Sequence, residues 1–336
     1  MPTLYLIEQG ATLHLDAERL VVRNGDADLR HVPLAKIDDV LVYGNVNLST
    51  PALKKLLDKG VEVTLLTIYG RYHGRLVGPV APHAALRRRQ YQCAEQPHLV
   101  LAQARAHVLG KLRNGRAVLQ RLARGRATPP PAALFAADRI GRYIHRAHST
   151  SSVPELLGVE GTASARYFRG LGALFDPAWG FAHRVRRPPT DPVNVLLSFG
   201  YTLLTHKALG AVQAVGLDPY VGSLHSIEYN RPSLALDLVE EFRPFLVDAL
   251  VVRVLGDGRL LPAQFVPEAD GLRLDAAGVR TFVAAFEERM RTEALHPEGA
   301  DSRPGRVTYL RCIELQARRL ARAIREGVAY EAFGVR

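Results

Sequence analysis

Cysteine is scarce in this sequence, with only Cys93 and Cys312 among 336 residues. The two lie far apart, which excludes the paired spacing of a zinc ribbon, and they are too few for a disulfide framework. Neither cysteine stands in a local motif that marks a catalytic thiol. The scarcity therefore indicates a protein of the reducing cytoplasm whose chemistry does not depend on sulfur.

Long apolar runs and common catalytic motifs are also missing. The chain reaches Glu8 without a basic leader, so the pattern of a secretory signal is absent. We expect no segment apolar enough to span a bilayer. The phosphate-binding loop, the serine-hydrolase elbow and the zinc-protease helix motif do not occur. These absences favour a cytoplasmic protein with no membrane partner.

Acidic residues are outnumbered by basic ones, 33 to 44, which leaves a net charge of +11. An excess of arginine favours a polyanionic partner, because each cation placed on a phosphate releases condensed counterions. A GC-rich genome also produces arginine-rich proteins, so charge alone leaves nucleic-acid binding open.

The basic residues form three groups. Arg87, Arg88 and Arg89 follow a proline-marked boundary, and the arginines at 311, 318, 322 and 325 share one face of a terminal helix, which is typical of a solvated face. Helical periodicity does not explain the third group, which makes it the better candidate for DNA phosphates: Arg184, Arg186 and Arg187.

The fold class indicated by the sequence is α+β with two domains. Short β-prone runs separated by turn signals fill the first eighty residues, and the composition shifts to alanine, leucine and arginine near residues 78–82. We therefore expect a small, β-sandwich-like N-terminal domain (1–82) and a larger all-α domain (83–336). Within the second domain, Asp191, Ser233 and Asp275 are predicted helix caps. Residues 296–305 are predicted to form a loop, followed by a helix over 307–326.

Three acids stand within five residues of an otherwise apolar helix: Asp237, Glu240 and Glu241. The spacing of Asp237 to Glu240 is i, i+3 and that to Glu241 is i, i+4, so their side chains can share one face. Like charges repel there unless a cation lies between them. His225 ends the preceding loop, and carboxylate oxygens with an imidazole nitrogen suit a divalent metal. Each residue also has a simpler interpretation, in which His225 only donates a hydrogen bond and Asp237 only pairs with an arginine.

Glu160 is a second candidate, because glycines at 158 and 161 flank it in an otherwise helical segment. Glycine costs a helix about 1 kcal/mol relative to alanine. Two of them beside one acid indicate a close approach by another backbone or by a ligand. The simpler alternative is a solvated glutamate beside a flexible turn.

Four motifs in order resemble the CRISPR-associated endonuclease and integrase of spacer acquisition, the universal first Cas protein. The resemblance extends along nearly the whole chain. Its motifs are 157–161 with Tyr167 and Phe168, 187–194 with 197–201, 216–222 with Leu224 and His225, and 231–244. Ser223 and Asn230 depart from the family's common residues in the loop around the histidine.

The resemblance implies a site in the helical domain that holds one divalent metal, Mn²⁺ or Mg²⁺. The family's ligands correspond to Glu160, His225 and Glu240, with Asp237 as a supporting acid. Either Asp237 or Glu240 can be the direct third ligand, so that assignment stays open. The family's N-terminal domain forms a homodimer. The implied partners are double-stranded DNA, both prespacer and CRISPR repeat, and a small ferredoxin-like second Cas protein that completes a heterohexamer.

The function implied is CRISPR adaptation, an antiviral defence in which short foreign DNA is inserted as a new spacer. A DNA 3′-hydroxyl attacks a repeat phosphodiester beside the metal, and with water as the attacking group the same site is an endonuclease, a hydrolase of phosphodiester bonds. One alternative is a metal-independent DNA-binding scaffold of the same system. Another is a metal phosphodiesterase of small substrates, which the arginine content disfavours.

Overall fold

The computed structural model describes residues 3–37, 39–68, 72–76, 78, 83–186, 188–268, 271–300 and 303–334. The chain divides into two compact units, 1–81 and 82–336. The first is rich in strands and the second is mostly helical, which confirms the predicted fold class.

The first unit contains two four-stranded sheets. Its elements are β1 (Thr3–Leu6), β2 (Thr12–Asp16), β3 (Arg19–Asn24), β4 (Ala27–Pro33), β5 (Asp39–Tyr43), β6 (Asn47–Leu48), α1 (Thr50–Asp58), β7 (Glu62–Leu66) and β8 (Tyr72–Leu76). One sheet has the order β1-β5-β7-β8 and the other β4-β3-β2-β6. In the first sheet β1, β5 and β7 run parallel, and β8 is antiparallel.

Alternating apolar side chains join these two sheets in a single core. Leu4 and Leu6 of β1, Leu13 of β2 and Val40 and Val42 of β5 are all buried in one cluster. Successive side chains of a strand point to opposite faces, so every second residue reaches the core. Burial of these inner faces is what holds the sandwich together.

The second unit is built from long helices and two hairpins. Its elements are α2 (Ala84–Ala94), α3 (Pro97–Arg124), α4 (Pro131–His148), α5 (Val153–Gly172), α6 (Pro192–Ala214), α7 (Ser233–Glu240), α8 (Ala249–Gly256), β9 (Phe265–Glu268), β10 (Gly271–Leu274), α9 (Ala276–Arg291), β11 (Glu293–Ala300), β12 (Arg303–Thr308) and α10 (Tyr309–Glu326). As predicted, Asp191 caps α6 and Asp275 caps α9, each accepting a backbone N–H three residues on.

Helix α6 is the apolar centre of this unit. By length and composition it could cross a membrane, so the expectation that no segment is apolar enough was wrong. However, 67% of its most apolar window is buried inside the unit, as in the core helix of a globular protein.

Other predictions about the second unit also need correction. It contains two antiparallel hairpins, β9–β10 and β11–β12, so it is not entirely helical. Of the predicted loop at 296–305, residues 296–300 belong to β11 and 303–305 to β12, and 301 and 302 lie outside the described residues. Gly299 and Gly305 let the two strands approach closely: a Cβ on Gly299 would lie 2.3 Å from the Gly305 oxygen. Ser233 does not cap α7. It is the first helical residue, and its hydroxyl donates to the Ser226 carbonyl at 2.7 Å.

Candidate metal centre

Asp237 organises the loop that carries His225. Its side chain is fully buried in α7, where its carboxylate accepts the backbone N–H groups of Ser223 at 2.6 Å and of Leu224 and His225 at 2.9 Å. The same carboxylate lies 2.7 Å from Nδ1 of His225. Because a carboxylate oxygen accepts hydrogen bonds, this contact assigns a ring hydrogen to Nδ1, and in the neutral imidazole Nε2 then keeps its lone pair. Asp237 therefore sets both the loop and the imidazole tautomer.

Glu240 lies one helical turn further on and points to the other side of the ring. Its Oε1 atom lies 3.8 Å from Nε2 of His225 and 2.6 Å from Nη1 of Arg243. Its Oε2 atom lies 2.8 Å from Nζ of Lys111 but receives no hydrogen bond of acceptable geometry from the described residues. The free lone pair of His225 and a buried carboxylate of Glu240 thus face the same point.

Glu160, on α5, is linked to Glu240 through Lys111. Its Oε1 atom accepts a hydrogen bond from the Ser164 hydroxyl at 2.7 Å and pairs with the ammonium of Lys111. Lys111, on α3, thus contacts both Glu160 and Glu240. Three helices and one loop bring the two acids, the lysine and the histidine together.

The sequence interpretation did not include Lys111. One available signal was composition, since only two lysines, Lys111 and Lys207, occur beyond residue 81, in a region otherwise dominated by arginine. Both are buried against glutamate. The compact ammonium of lysine is a point charge that contacts both carboxylates here.

The charges in this cluster are stabilised mutually. Burial alone would raise the pKa of Glu240, but the cations of Arg243 and Lys111 outweigh it and lower that pKa to about 2. The same balance of burial against Lys111 lowers the pKa of Glu160. Burial opposes charge on Lys111, yet Glu240 and Glu160 together raise the pKa of its ammonium. The two carboxylates are therefore ionised at neutral pH.

Arg243, the partner of Glu240, packs in turn against a group of aromatic and acidic side chains. The Arg243 guanidinium lies over the Tyr201 ring, 4.6 Å from its centre, and Arg184 lies 5.5 Å from the same centre. The hydroxyls of Tyr201 and Tyr167 donate to the buried Asp248 at 2.5 and 2.7 Å. Burial raises the pKa of Asp248 to about 6. Asp248 belongs to a π-helical turn, Pro244–Asp248, a distortion often found at functional sites.

The third acid of the group, Glu241, faces the C-terminal segment. It accepts hydrogen bonds from the Tyr330 hydroxyl at 2.5 Å and from the Phe333 backbone N–H. Burial raises its pKa to about 8. The three neighbouring acids therefore have different partners: Asp237 orders a loop, Glu240 faces the charged cluster, and Glu241 anchors the chain end.

The predicted DNA-contacting arginines differ in their surroundings. Arg88 and Arg186 are exposed, Arg89 is half-buried and Arg187 lies outside the described residues. Arg87 donates to the Gly216 carbonyl at 3.1 Å. Arg184 donates to Asn194 and Ser198, both at 2.9 Å, so its guanidinium has partners inside the unit.

Several other predicted features can be compared with the structure. On α10, Arg311 pairs with Glu314, Arg322 with Glu298 and Arg325 with Glu326. These ion pairs agree with a solvated helix face. Around Gly158 and Gly161, no described atom lies within 4 Å of a built Cβ. The expected close approach of another backbone to this segment is therefore not seen in the described part of the chain.

The donor set fits a divalent cation of the magnesium or manganese kind. Two ionised carboxylates share one monovalent partner, the Lys111 ammonium, and an imidazole nitrogen lies 3.8 Å from one of them; oxygen and nitrogen donors of this kind suit a divalent cation. Among the described residues, no three His, Cys, Asp or Glu side chains already stand close enough to hold a metal. In this arrangement the Lys111 ammonium contacts both glutamates.

Comparisons with known proteins agree with each other. A family model described as "CRISPR associated protein Cas1" matches residues 4–288. CRISPR-associated endonuclease Cas1 2 of Rhodospirillum rubrum is 38% identical, with 96% of this chain and 95% of that protein covered. CRISPR-associated endonuclease Cas1 1 of Thermus thermophilus is 39% identical, with 96% of each covered. A casposase bound to integration product superposes with a TM-score of 0.85 at 26% identity, covering 99% of this chain and 93% of that one.

Proposed function

The chain belongs to the Cas1 family of CRISPR-associated proteins, and on that premise we propose that it is a metal-dependent DNA endonuclease and integrase of CRISPR adaptation. The observation that supports the metal site is that Glu160 and Glu240 contact the same ammonium, that of Lys111, while Nε2 of His225 lies 3.8 Å from Glu240. The relatives are named endonucleases, and the superposed casposase is bound to an integration product.

In the proposed reaction, Glu160, Glu240 and His225 hold Mn²⁺ or Mg²⁺, which when bound polarises the scissile phosphodiester and stabilises the leaving oxygen. Asp237 keeps the Nε2 lone pair of His225 directed at the site. Arg243 holds the Glu240 carboxylate in place. A DNA 3′-hydroxyl is the attacking group in integration and water in hydrolysis, so the protein supplies no covalent nucleophile.

The proposed partners follow the family resemblance. Double-stranded DNA, as prespacer and as CRISPR repeat, is bound through its phosphates, which carry no sequence information. The exposed Arg88 and Arg186 are the most accessible of the predicted contacts, and Arg87 and Arg184 contribute through the loops that they hold. We further propose a homodimer formed by the N-terminal unit, and a small ferredoxin-like second Cas protein that bridges two such dimers into a heterohexamer.

The test is integration of a labelled DNA duplex into a supercoiled plasmid that carries repeat DNA. Glu160→Ala and His225→Ala should each abolish insertion, because each removes one donor of the set. The matched controls are Glu288→Ala and His98→Ala, which change exposed residues of the same types and should insert like the parent. Insertion by Glu160→Ala or His225→Ala at the parent's rate would show that the metal-site assignment is wrong.

A metal-independent DNA-binding scaffold is the second candidate, and one observation favours it. Lys111 already pairs with Glu160 and Glu240, and Arg243 with Glu240, so both carboxylates have cationic partners without any metal. A scaffold would bind duplex DNA equally in Mn²⁺ and in chelator, and it would form no integration product in either condition.

A further inference from the structure

Lys111 occupies the centre of the acidic pair that the proposed function assigns to a metal. Its side chain is 15% exposed, that of Glu160 18% and that of Glu240 3%, so little water screens their charges. Its ammonium contacts Oε1 of Glu160 and Oε2 of Glu240, one from α5 and one from α7. Without a cation between them, two largely enclosed carboxylates that can contact one ammonium would repel each other.

Binding of a metal ion would change the balance of charge around Glu160 and Glu240. Lys111 and Arg243 set two monovalent cations against the Glu160 and Glu240 carboxylates, so these four groups sum to zero charge. Asp237, which contacts the Nδ1 side of the His225 ring, is outside this count. A divalent ion added to this arrangement leaves two uncompensated positive charges. A second cation between the same two carboxylates also requires the ammonium to move away from at least one of them.

We propose that Lys111 is an internal cation that holds Glu160 and Glu240 together before a metal arrives, competes with the divalent ion for both carboxylates, and thereby makes metal binding depend on DNA. This inference rests on the proposed function. The anion that offsets the excess positive charge is a phosphodiester of the bound duplex, to which the displaced ammonium is free to turn. DNA and metal then strengthen each other's binding, as linkage requires.

The proposal is tested by measuring Mn²⁺ affinity by calorimetry, with and without a short DNA duplex, in the parent, Lys111→Met and Lys111→Arg. Lys111→Met should bind Mn²⁺ at least about tenfold more tightly than the parent without DNA, because a competing unit charge has gone. Lys111→Arg keeps the charge and should stay within about threefold of the parent. Lys207→Met is the matched control, since it removes the other buried lysine of the unit from Glu287.

Thermal unfolding provides a readout that does not require activity. In chelator, Lys111→Met should melt below the parent, because the carboxylates lose their cation. Saturating Mn²⁺ should raise its melting temperature more than that of the parent. If Lys111→Met does not fold in chelator, Lys111→Gln, whose amide can still donate to a carboxylate, is compared in the same way.

The outcomes separate this inference from the proposed function. Tighter Mn²⁺ binding by Lys111→Met, with a smaller gain from DNA than in the parent, supports the proposal. Equal or weaker binding by Lys111→Met, in a parent that does bind Mn²⁺ through Glu240, overturns only the role of Lys111. If Glu240→Gln and the parent bind Mn²⁺ alike, or neither binds it, the metal site itself is wrong and both proposals fail.

Discussion

Replacing Asp237 by asparagine tests whether Asp237 is a supporting acid or a direct metal ligand. In the parent, Oδ2 accepts the N–H groups of Ser223 and Leu224, and Oδ1 faces the N–H and Nδ1 of His225. Asparagine has nearly the same shape but only one acceptor oxygen. Whichever way its amide is turned, the –NH₂ group faces two of these four donors.

The magnitude follows from the lost hydrogen bonds. A buried donor without an acceptor costs about 1 to 3 kcal/mol, so two of them lower the free energy of unfolding by about 2 to 6 kcal/mol. In the orientation that turns the –NH₂ group toward His225, the imidazole also loses the acceptor that fixes its tautomer. Loss of such a supporting hydrogen bond typically weakens metal binding by about 10- to 100-fold. Asp237→Asn should therefore be less stable and bind Mn²⁺ weakly, yet still bind it.

The assays are urea denaturation in chelator and calorimetric Mn²⁺ titration of the folded variant. Asp257→Asn is the matched control: the Asp257 side chain is 53% exposed and lies 3.4 Å from Arg253, so its change should stay within about 0.5 kcal/mol. Unchanged stability and unchanged Mn²⁺ affinity in Asp237→Asn would refute the reasoning. Complete loss of Mn²⁺ binding at nearly unchanged stability would instead make Asp237 the direct ligand.

Two further predictions concern stability. Gly170→Ala would place its Cβ 2.5 Å from the Cβ of Ala136, so we expect the free energy of unfolding to fall by about 1 to 3 kcal/mol. Gly158→Ala lies in open space on the same helix and should raise that free energy by about 0.5 to 1 kcal/mol. Similar urea midpoints for the two variants would contradict this prediction. Burial raises the pKa of Glu241 from its ordinary 4.5 to about 8, so in this pH range the folded state keeps a proton that the unfolded chain releases. The free energy of unfolding should therefore fall as the pH rises between these values, by up to about 1.4 kcal/mol per pH unit. Glu241→Gln should reduce the difference in unfolding free energy between about pH 5 and pH 8.5, measured by urea titration at each pH. An equal difference in the parent and the variant would disprove the prediction.

Local signals in the sequence predicted much of the fold. The caps Asp191 and Asp275 were predictable because a side-chain acceptor beside a helix start acts within three residues. The hairpin β11–β12 was not, because its prolines and glycines fit a loop equally well. Its pairing depends on the close approach of Gly299 and Gly305 and on the burial of His296, whose ring lies 3.1 Å from Gln316.

In the candidate site, too, some features could be predicted from the sequence and others depend on the tertiary structure. The family motifs identified Glu160, His225 and Glu240 by resemblance, and residue types and spacing alone left Asp237 and Glu240 as equal candidates. In the structure their contacts differ: Asp237 is surrounded by backbone donors, and Glu240 faces the charged cluster. The direction in which each acid of one short helix points depends on the loop packed against it, which the helical repeat does not specify.

The sequence by itself determined the strand-rich and helical halves, the positions of most helices, and a basic chain with few thiols, because these depend on composition and on neighbours within a few residues. Only the tertiary structure decided that Lys111 lies between Glu160 and Glu240. Lys111 and Glu160 are 49 positions apart, on different helices, and no local pattern relates them. They meet because α3, α5 and α7 bury their apolar faces together, and the charges that burial encloses must then compensate one another.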